Sequence, residues 1–110
     1  MKVVLRRGAE RDIAEAMEWY EKQDYELGQR FLAAVRTLIA RIAAAPRHFP
    51  RMPTSIGGAQ PEPAGRTIRR GLVRSYPYAV YFVLETSRVV ILAVIHQRRA
   101  PDAVRALLAR

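Results

Sequence analysis

The chain has 110 residues, half of them apolar, no cysteine, and a net charge of +9. That length gives one domain, residues 1–110, with a single modest core, and no apolar run approaches the roughly 20 residues of a membrane helix. Without cysteine there are no disulfides or thiolate metal sites, and two distant histidines give no basis for zinc, so no metal or other cofactor is expected. The apolar part of residues 1–7 is too short for a signal peptide, and a cytoplasmic protein is expected.

Residues 2–6 read as a short strand, with Val3, Val4 and Leu5 as its apolar part and Gly8 as its end. A helix is predicted over 9–23. Ala9, Ile13, Ala16, Met17 and Tyr20 share one face, and Glu10, Arg11, Glu15, Glu18 and Lys22 cover the other. Trp19 lies at the border of the apolar stripe; its large area favours the core over a partner groove. A tight link at 23–25 leads to a second helix over 26–45. Its stripe is Leu27, Phe31, Ala34, Val35, Leu38, Ile42 and Ala45, and Pro46 ends it. So short a link makes the two helices an antiparallel hairpin.

Prolines and glycines crowd residues 47–65, and 51–65 read as a proline- and glycine-rich loop. A polar strand at 67–73 has edge character. Tyr78 to Leu84 alternates like a half-buried strand, residues 85–88 make a hairpin turn, and 89–95 is unbroken and apolar, as in a central strand. Charge returns at His96-Gln97-Arg98-Arg99, and residues 101–110 read as a short helix. The expected class is α+β. A small antiparallel sheet combines the N-terminal strand with a three-stranded meander, the helical hairpin packs on one face, and the short helix comes last, at the C-terminus.

Charge is unevenly placed. Residues 1–26 hold seven acids against five bases, and the remainder holds three acids against fourteen arginines. Such an excess favours a polyanionic partner, and the planar guanidinium suits phosphate and carboxylate. In the plainer reading these arginines are a solvated face.

Several stretches carry a resemblance when taken together. They are Ala9, Asp12 and Ile13 after the first strand; Trp19-Tyr20-Glu21; Gly28 to Phe31; Pro46 with Phe49-Pro50; Tyr76-Pro77-Tyr78 with Val80-Tyr81; and Val94 to Pro101, with its His-x-Arg-Arg-x-Pro ending. In this order the chain resembles the RelE/ParE superfamily of toxins from type II toxin–antitoxin systems, on the ParE side. The resemblance implies a small bacterial toxin neutralised by a cognate, ParD-like antitoxin with an acidic amphipathic tail that wraps it, the two forming a hetero-oligomer. Arginines would speed that encounter and fix register, and apolar anchors would supply most of the affinity. The antitoxin contacts expected are Trp19, Arg30, Arg41, Arg69 and Arg70. The target contacts expected are Arg74, Arg98, Arg99 and Arg105.

ParE-like members poison DNA gyrase, and RelE-like members cleave mRNA on the ribosome. Metal-free RNA cleavage needs a base for the 2′-OH, an acid for the leaving oxygen and cations for the phosphorane charge. His96 would serve as base or acid, Arg74, Arg98 and Arg99 would hold phosphate, and Tyr78 or Tyr81 would stack on a base. Gyrase is the favoured target. The central strand carries no cation before its end, no lysine comes after Lys22, and the His-x-Arg-Arg-x-Pro ending is common in chains that do not cut RNA. A third reading is a non-catalytic nucleic-acid-binding module. Each residue also has an ordinary structural role open to it. His96 would bond a neighbouring loop, Arg98 and Arg99 would pair with Glu85 or the terminal carboxylate, and Arg69 and Arg70 would guard an edge strand. Tyr78 and Tyr81 would be core residues with wet hydroxyls.

Overall fold

A computed structural model describes residues 1–52 and 67–99. β1 (Lys2–Leu5) runs almost directly into α1 (Arg7–Glu21), and residues 22–24 link α1 to α2 (Tyr25–Ala44). One turn of 3-10 helix comes next, at Pro46–His48. Beyond it lie β2 (Ile68–Leu72), β3 (Tyr78–Glu85), β4 (Arg88–His96) and a last 3-10 turn at Gln97–Arg99. The helix expected at 101–110, its Arg105, and most of the 51–65 loop lie outside the described residues.

The helices form where the apolar spacing puts them, with shifted ends. Gly8 does not separate strand from helix; it sits in the first turn of α1. The ladder extends through Arg6, whose N–H donates to the Ile91 carbonyl at 3.0 Å, and Arg6 already accepts the first helical bond from Glu10. The Asp24 carboxylate accepts from the Glu26 N–H at 2.9 Å and caps α2. Phe31, Val35, Leu38 and Ile42 of α2 are buried against Ala9 and Ala16 of α1 and the inner face of the sheet.

The strand order is β1-β4-β3-β2. The β2–β3–β4 meander is antiparallel as expected, but β1 pairs with β4 in parallel, Lys2 opposite Arg88 and Leu5 opposite Ile91. The sheet is therefore mixed, which corrects the wholly antiparallel expectation. Chain direction gives the reason. The helical hairpin brings the chain back beside the start of β1, where the Met1 amino group donates to the Ala43 carbonyl at 3.2 Å, and β2 sets out in the direction of β1. Two reversals in the meander then leave β4 in that same direction.

β4 contains a bulge. Tyr81 faces Ala93, yet Phe82 faces Ile91, so Leu92 has no opposite number. The extra residue flips the side-chain phase. Val89, Ile91 and Val94 pack with the helices, and Val90, Leu92, Ala93 and Ile95 pack on the other face with Ala79, Tyr81 and Val83.

β2 is an edge strand, but part of its edge is covered. The Met52 N–H donates to the Ile68 carbonyl at 2.7 Å and the Arg70 N–H to the Pro50 carbonyl at 3.1 Å. Arg69 reaches back to the Phe49 carbonyl at 2.7 Å. It fastens the 49–52 segment to the sheet, a different task from the solvent-facing guard expected of it.

Candidate functional site

The C-terminal end of β4 and the N-terminal end of β3 lie side by side, His96 opposite Tyr78. The middle turns of α1 cross above them. Between helix and strands opens a cavity of about 420 Å³. α1 supplies Asp12, Glu15, Ala16, Trp19 and Tyr20, and the sheet supplies Pro77, Tyr78, Val94 and His96, with Arg99 just past β4. Helical spacing explains the first group: residues three, four, seven and eight apart fall on one stripe.

Aromatic rings line much of the cavity. Trp19 meets Tyr20 edge-on at 5.2 Å, Tyr20 lies 6.3 Å from Tyr78, and Tyr78 meets His96 edge-on at 5.1 Å. Phe31 and Tyr76 hold Tyr20 from behind, at 5.3 and 5.1 Å. Burial raises the Tyr20 phenol above its ordinary value, and the neighbouring phenols Tyr78 and Tyr76 add to the effect. Tyr78 is raised mainly by burial, against a lowering pull from Arg99. Both phenols are therefore neutral donors near neutral pH.

His96 Nδ1 accepts from the Arg98 backbone N–H at 3.1 Å. A nitrogen that accepts carries no proton, so the neutral ring bears its proton on Nε2. Part of the ordinary role expected for His96 is thus observed, a bond to the chain beside it. The Leu92 bulge makes its position possible, because without the phase flip His96 would point to the opposite face of the sheet.

Asp12 has a structural task at the inner end. β1 stops at Leu5, beside Ile91, so the edge of β4 beyond it has no strand to pair with. The Asp12 carboxylate accepts from the Val94 N–H there at 3.0 Å.

Four expected site residues, Trp19, Tyr78, His96 and Arg99, come together in this one cavity. Trp19 is 59% exposed, which overturns its assignment to the core. The others disperse. Arg98 contributes its backbone N–H, and its side chain is outside the cavity lining; Arg74 is exposed in the turn after β2 and also outside it. Arg30 pairs with Glu26 at 3.5 Å on the solvent-exposed face of α2, Arg41 stacks over the Phe49 ring at 5.6 Å, and Arg70 lies on the far face of the sheet opposite Tyr81. Glu85 pairs with Arg88 at 2.6 Å across the hairpin turn, at the end of β4 remote from Arg98 and Arg99, so the Glu85 pairing expected of those two is not formed. Tyr81 is fully buried and its hydroxyl has no partner among the described residues, contrary to the wet hydroxyl expected.

Sequence reasoning missed Glu15 and Tyr20 as site residues. The signal was present in the spacing Asp12, Glu15, Ala16, Trp19, Tyr20, one stripe beside the buried one.

The family model described as the ParE toxin of the type II toxin–antitoxin system parDE matches residues 3–101. No curated protein matches. Among solved structures, a chain of the chromosomal ParDE toxin–antitoxin system from P. aeruginosa superposes with a TM-score of 0.69 at 13% identity, covering 87% of this chain and 95% of that one. At that identity the likeness speaks for the fold.

Proposed function

Because this chain belongs to the ParE toxin family of type II toxin–antitoxin systems, we propose that it arrests growth by inhibiting DNA gyrase and catalyses no reaction of its own. A cognate ParD-like antitoxin with an acidic amphipathic tail neutralises it. The observation that carries this reading is the family match across residues 3–101.

The placement of charge supports it. Arg74 lies just after β2, and Arg98 and Arg99 just after β4; β2 and β4 run in the same direction, so all three exposed guanidiniums stand at one end of the sheet. A cluster of that kind suits an acidic or phosphate-bearing target surface and raises its on-rate. Exposed Trp19 is the apolar anchor for the antitoxin, and Arg70 is a guanidinium free of described ion pairs for its carboxylates. Arg30, Arg41 and Arg69 already have partners within the chain, which lowers what each offers to another protein.

The second reading, cleavage of ribosome-bound mRNA, draws on the meeting of His96, Tyr78 and Arg99 in one cavity. One experiment separates the two. The chain is expressed with and without its antitoxin, and the purified toxin is assayed on gyrase supercoiling and on ribosome-bound transcripts. Inhibited supercoiling with intact transcripts, lost in an Arg74→Ala/Arg98→Ala/Arg99→Ala variant that still binds antitoxin, is the expected result. Cut transcripts that stay whole with His96→Ala would replace gyrase with the ribosome. Nucleic-acid binding without arrest would reduce the chain to a binding module.

A further inference from the structure

The cavity between α1 and the ends of β3 and β4 carries two opposite charges that do not pair. Glu15, on the helix wall, has no ion pair or hydrogen bond to any described residue, and neither has the side chain of Arg99 on the opposite wall. The exposed Trp19 indole and the rings of Tyr20 and Tyr78 line the same cavity. His96 also lines the cavity, and its Nε2–H is the ring donor left for a ligand, because its Nδ1 is engaged with the Arg98 N–H. Asp12 is anchored to the Val94 N–H, which leaves Glu15 as the carboxylate open to a ligand.

A ligand that satisfies this map has a flat aromatic body. It offers two adjacent donors at one end and an anionic group at the other. The cavity volume, about 420 Å³, falls in the range of small-molecule sites. Among the common nucleobases only guanine offers two neighbouring N–H donors, N1–H and N2–H, on its Watson–Crick edge, and these match the two oxygens of a carboxylate. Adenine sets one donor beside an acceptor, N1, whose lone pair would face the carboxylate. Uracil places its one donor between two acceptors. Stacking on indole is tolerant of base identity, so the carboxylate sets the choice.

We propose that this cavity is a guanine-nucleotide site, with the base stacked on Trp19 and its donor edge on Glu15, and the phosphate held by Arg99 and the His96 Nε2–H. The proposal does not depend on what the toxin attacks. The ligand is a free guanine nucleotide or an unpaired guanosine of a single strand, since both present the same groups.

The chain contains one tryptophan, and that tryptophan lines the cavity. Its fluorescence, excited at the red edge away from nucleotide absorbance, reports occupancy directly. The purified chain is titrated with GMP, AMP, UMP, guanosine, and a uridine pentamer carrying one central guanosine, with calorimetry in parallel. GMP should quench saturably and bind about ten- to a hundredfold tighter than AMP or UMP, the discrimination of one good bidentate contact. Glu15→Gln should remove most of the preference for GMP over AMP. Arg99→Ala should weaken GMP about tenfold and leave guanosine unchanged. Circular dichroism confirms that both variants, at exposed positions, remain folded. Tighter binding of GMP than of the pentamer identifies the free nucleotide, and the reverse identifies the strand. The proposal is overturned if neither GMP nor the pentamer binds saturably, if AMP binds as well as GMP, or if Glu15→Gln leaves the preference intact.

Discussion

Gly28 of α2 packs directly against α1, and its replacement by alanine sets two effects of known size against each other. A glycine inside a helix is worse than alanine by about 1 kcal/mol, so intrinsic propensity favours Gly28→Ala. Packing opposes it. A Cβ at position 28 would lie 2.3 Å from Glu21 Cγ and 2.9 Å from the Met17 carbonyl oxygen. The Glu21 side chain can swing aside, losing only its exposed 3.3 Å bond from Gln29. The Met17 carbonyl is part of the α1 backbone and cannot. A carbon needs about 3.3 Å or more from such an oxygen, so the hairpin must open by roughly 0.4 Å. Crowding of this kind in a packed interior costs about 1–3 kcal/mol.

The balance is a net loss of about 1 kcal/mol, or a melting temperature lower by about 4 °C, read by far-ultraviolet circular dichroism. Near-ultraviolet dichroism should weaken too, because α1 carries Trp19 and Tyr20. A double variant, Glu21→Ala/Gly28→Ala, isolates the cause. If the carbonyl is the obstacle, removing Glu21 does not restore stability. A single Gly28→Ala variant that melts higher than the parent would show that propensity wins and that the helices are free to part.

Three further outcomes are expected. Asp12→Ala leaves the Val94 N–H without its charged acceptor and should cost about 1.5–3 kcal/mol by urea titration, with faster exchange of that amide; Asp12→Asn, which keeps an acceptor oxygen, should recover part of it. Tyr81→Phe removes a fully buried hydroxyl that has no described partner, so stability should hold or rise by about 1 kcal/mol; a loss of that size would reveal a bond to the hydroxyl. Tyr20 and Tyr78 ionise in the folded chain above the ordinary value of 10.0, chiefly through burial. Their raised values mean stability that is complete below pH 10 and is lost as pH climbs through the folded-state values; absorbance at the phenolate band should show this, and Tyr20→Phe/Tyr78→Phe should flatten the alkaline limb.

The elements are legible where one face is buried and the other is wet. Phe31, Val35, Leu38 and Ile42 stand at helical intervals, and the sequence pattern and the packing agree about them. β4 defeats the same method. Val89 to Ile95 is apolar throughout, so nothing in the pattern marks Leu92 as a bulge, and nothing tells which face His96 takes. The direction of β1 is settled by the number of reversals between it and β4, a property of the whole path that no local stretch displays. Trp19 misleads because area alone argues for burial, whereas its place beside Tyr20 and opposite His96 leaves it at the mouth of a cavity. Arg69 and Arg70 are adjacent and identical in type, yet alternation along β2 sends one to the Phe49 carbonyl and the other to the far face, and charge counting cannot separate them.

The cavity results from the shortness of β1. Four residues cover β4 only as far as Ile91, and the next section of that edge needs an acceptor from elsewhere. An N–H left open beside a hydrophobic strand costs about as much as a lost hydrogen bond. Asp12 answers that need from the second turn of α1, and in doing so it pins the helix to β4 at Val94. Once that point is fixed, helical geometry places the next two turns. Glu15 stands one turn further and Trp19 two, above the stretch of β4 that the bulge has turned so that His96 faces them. Lengthening β1 to pair with Val94 would take over the bond that Asp12 now makes, and it would also release α1 from a backbone contact that helps to hold it over β4. The acid that closes the sheet edge is therefore also the residue that positions the site, and Asp12→Ala should shift the Trp19 emission maximum even where the chain remains folded.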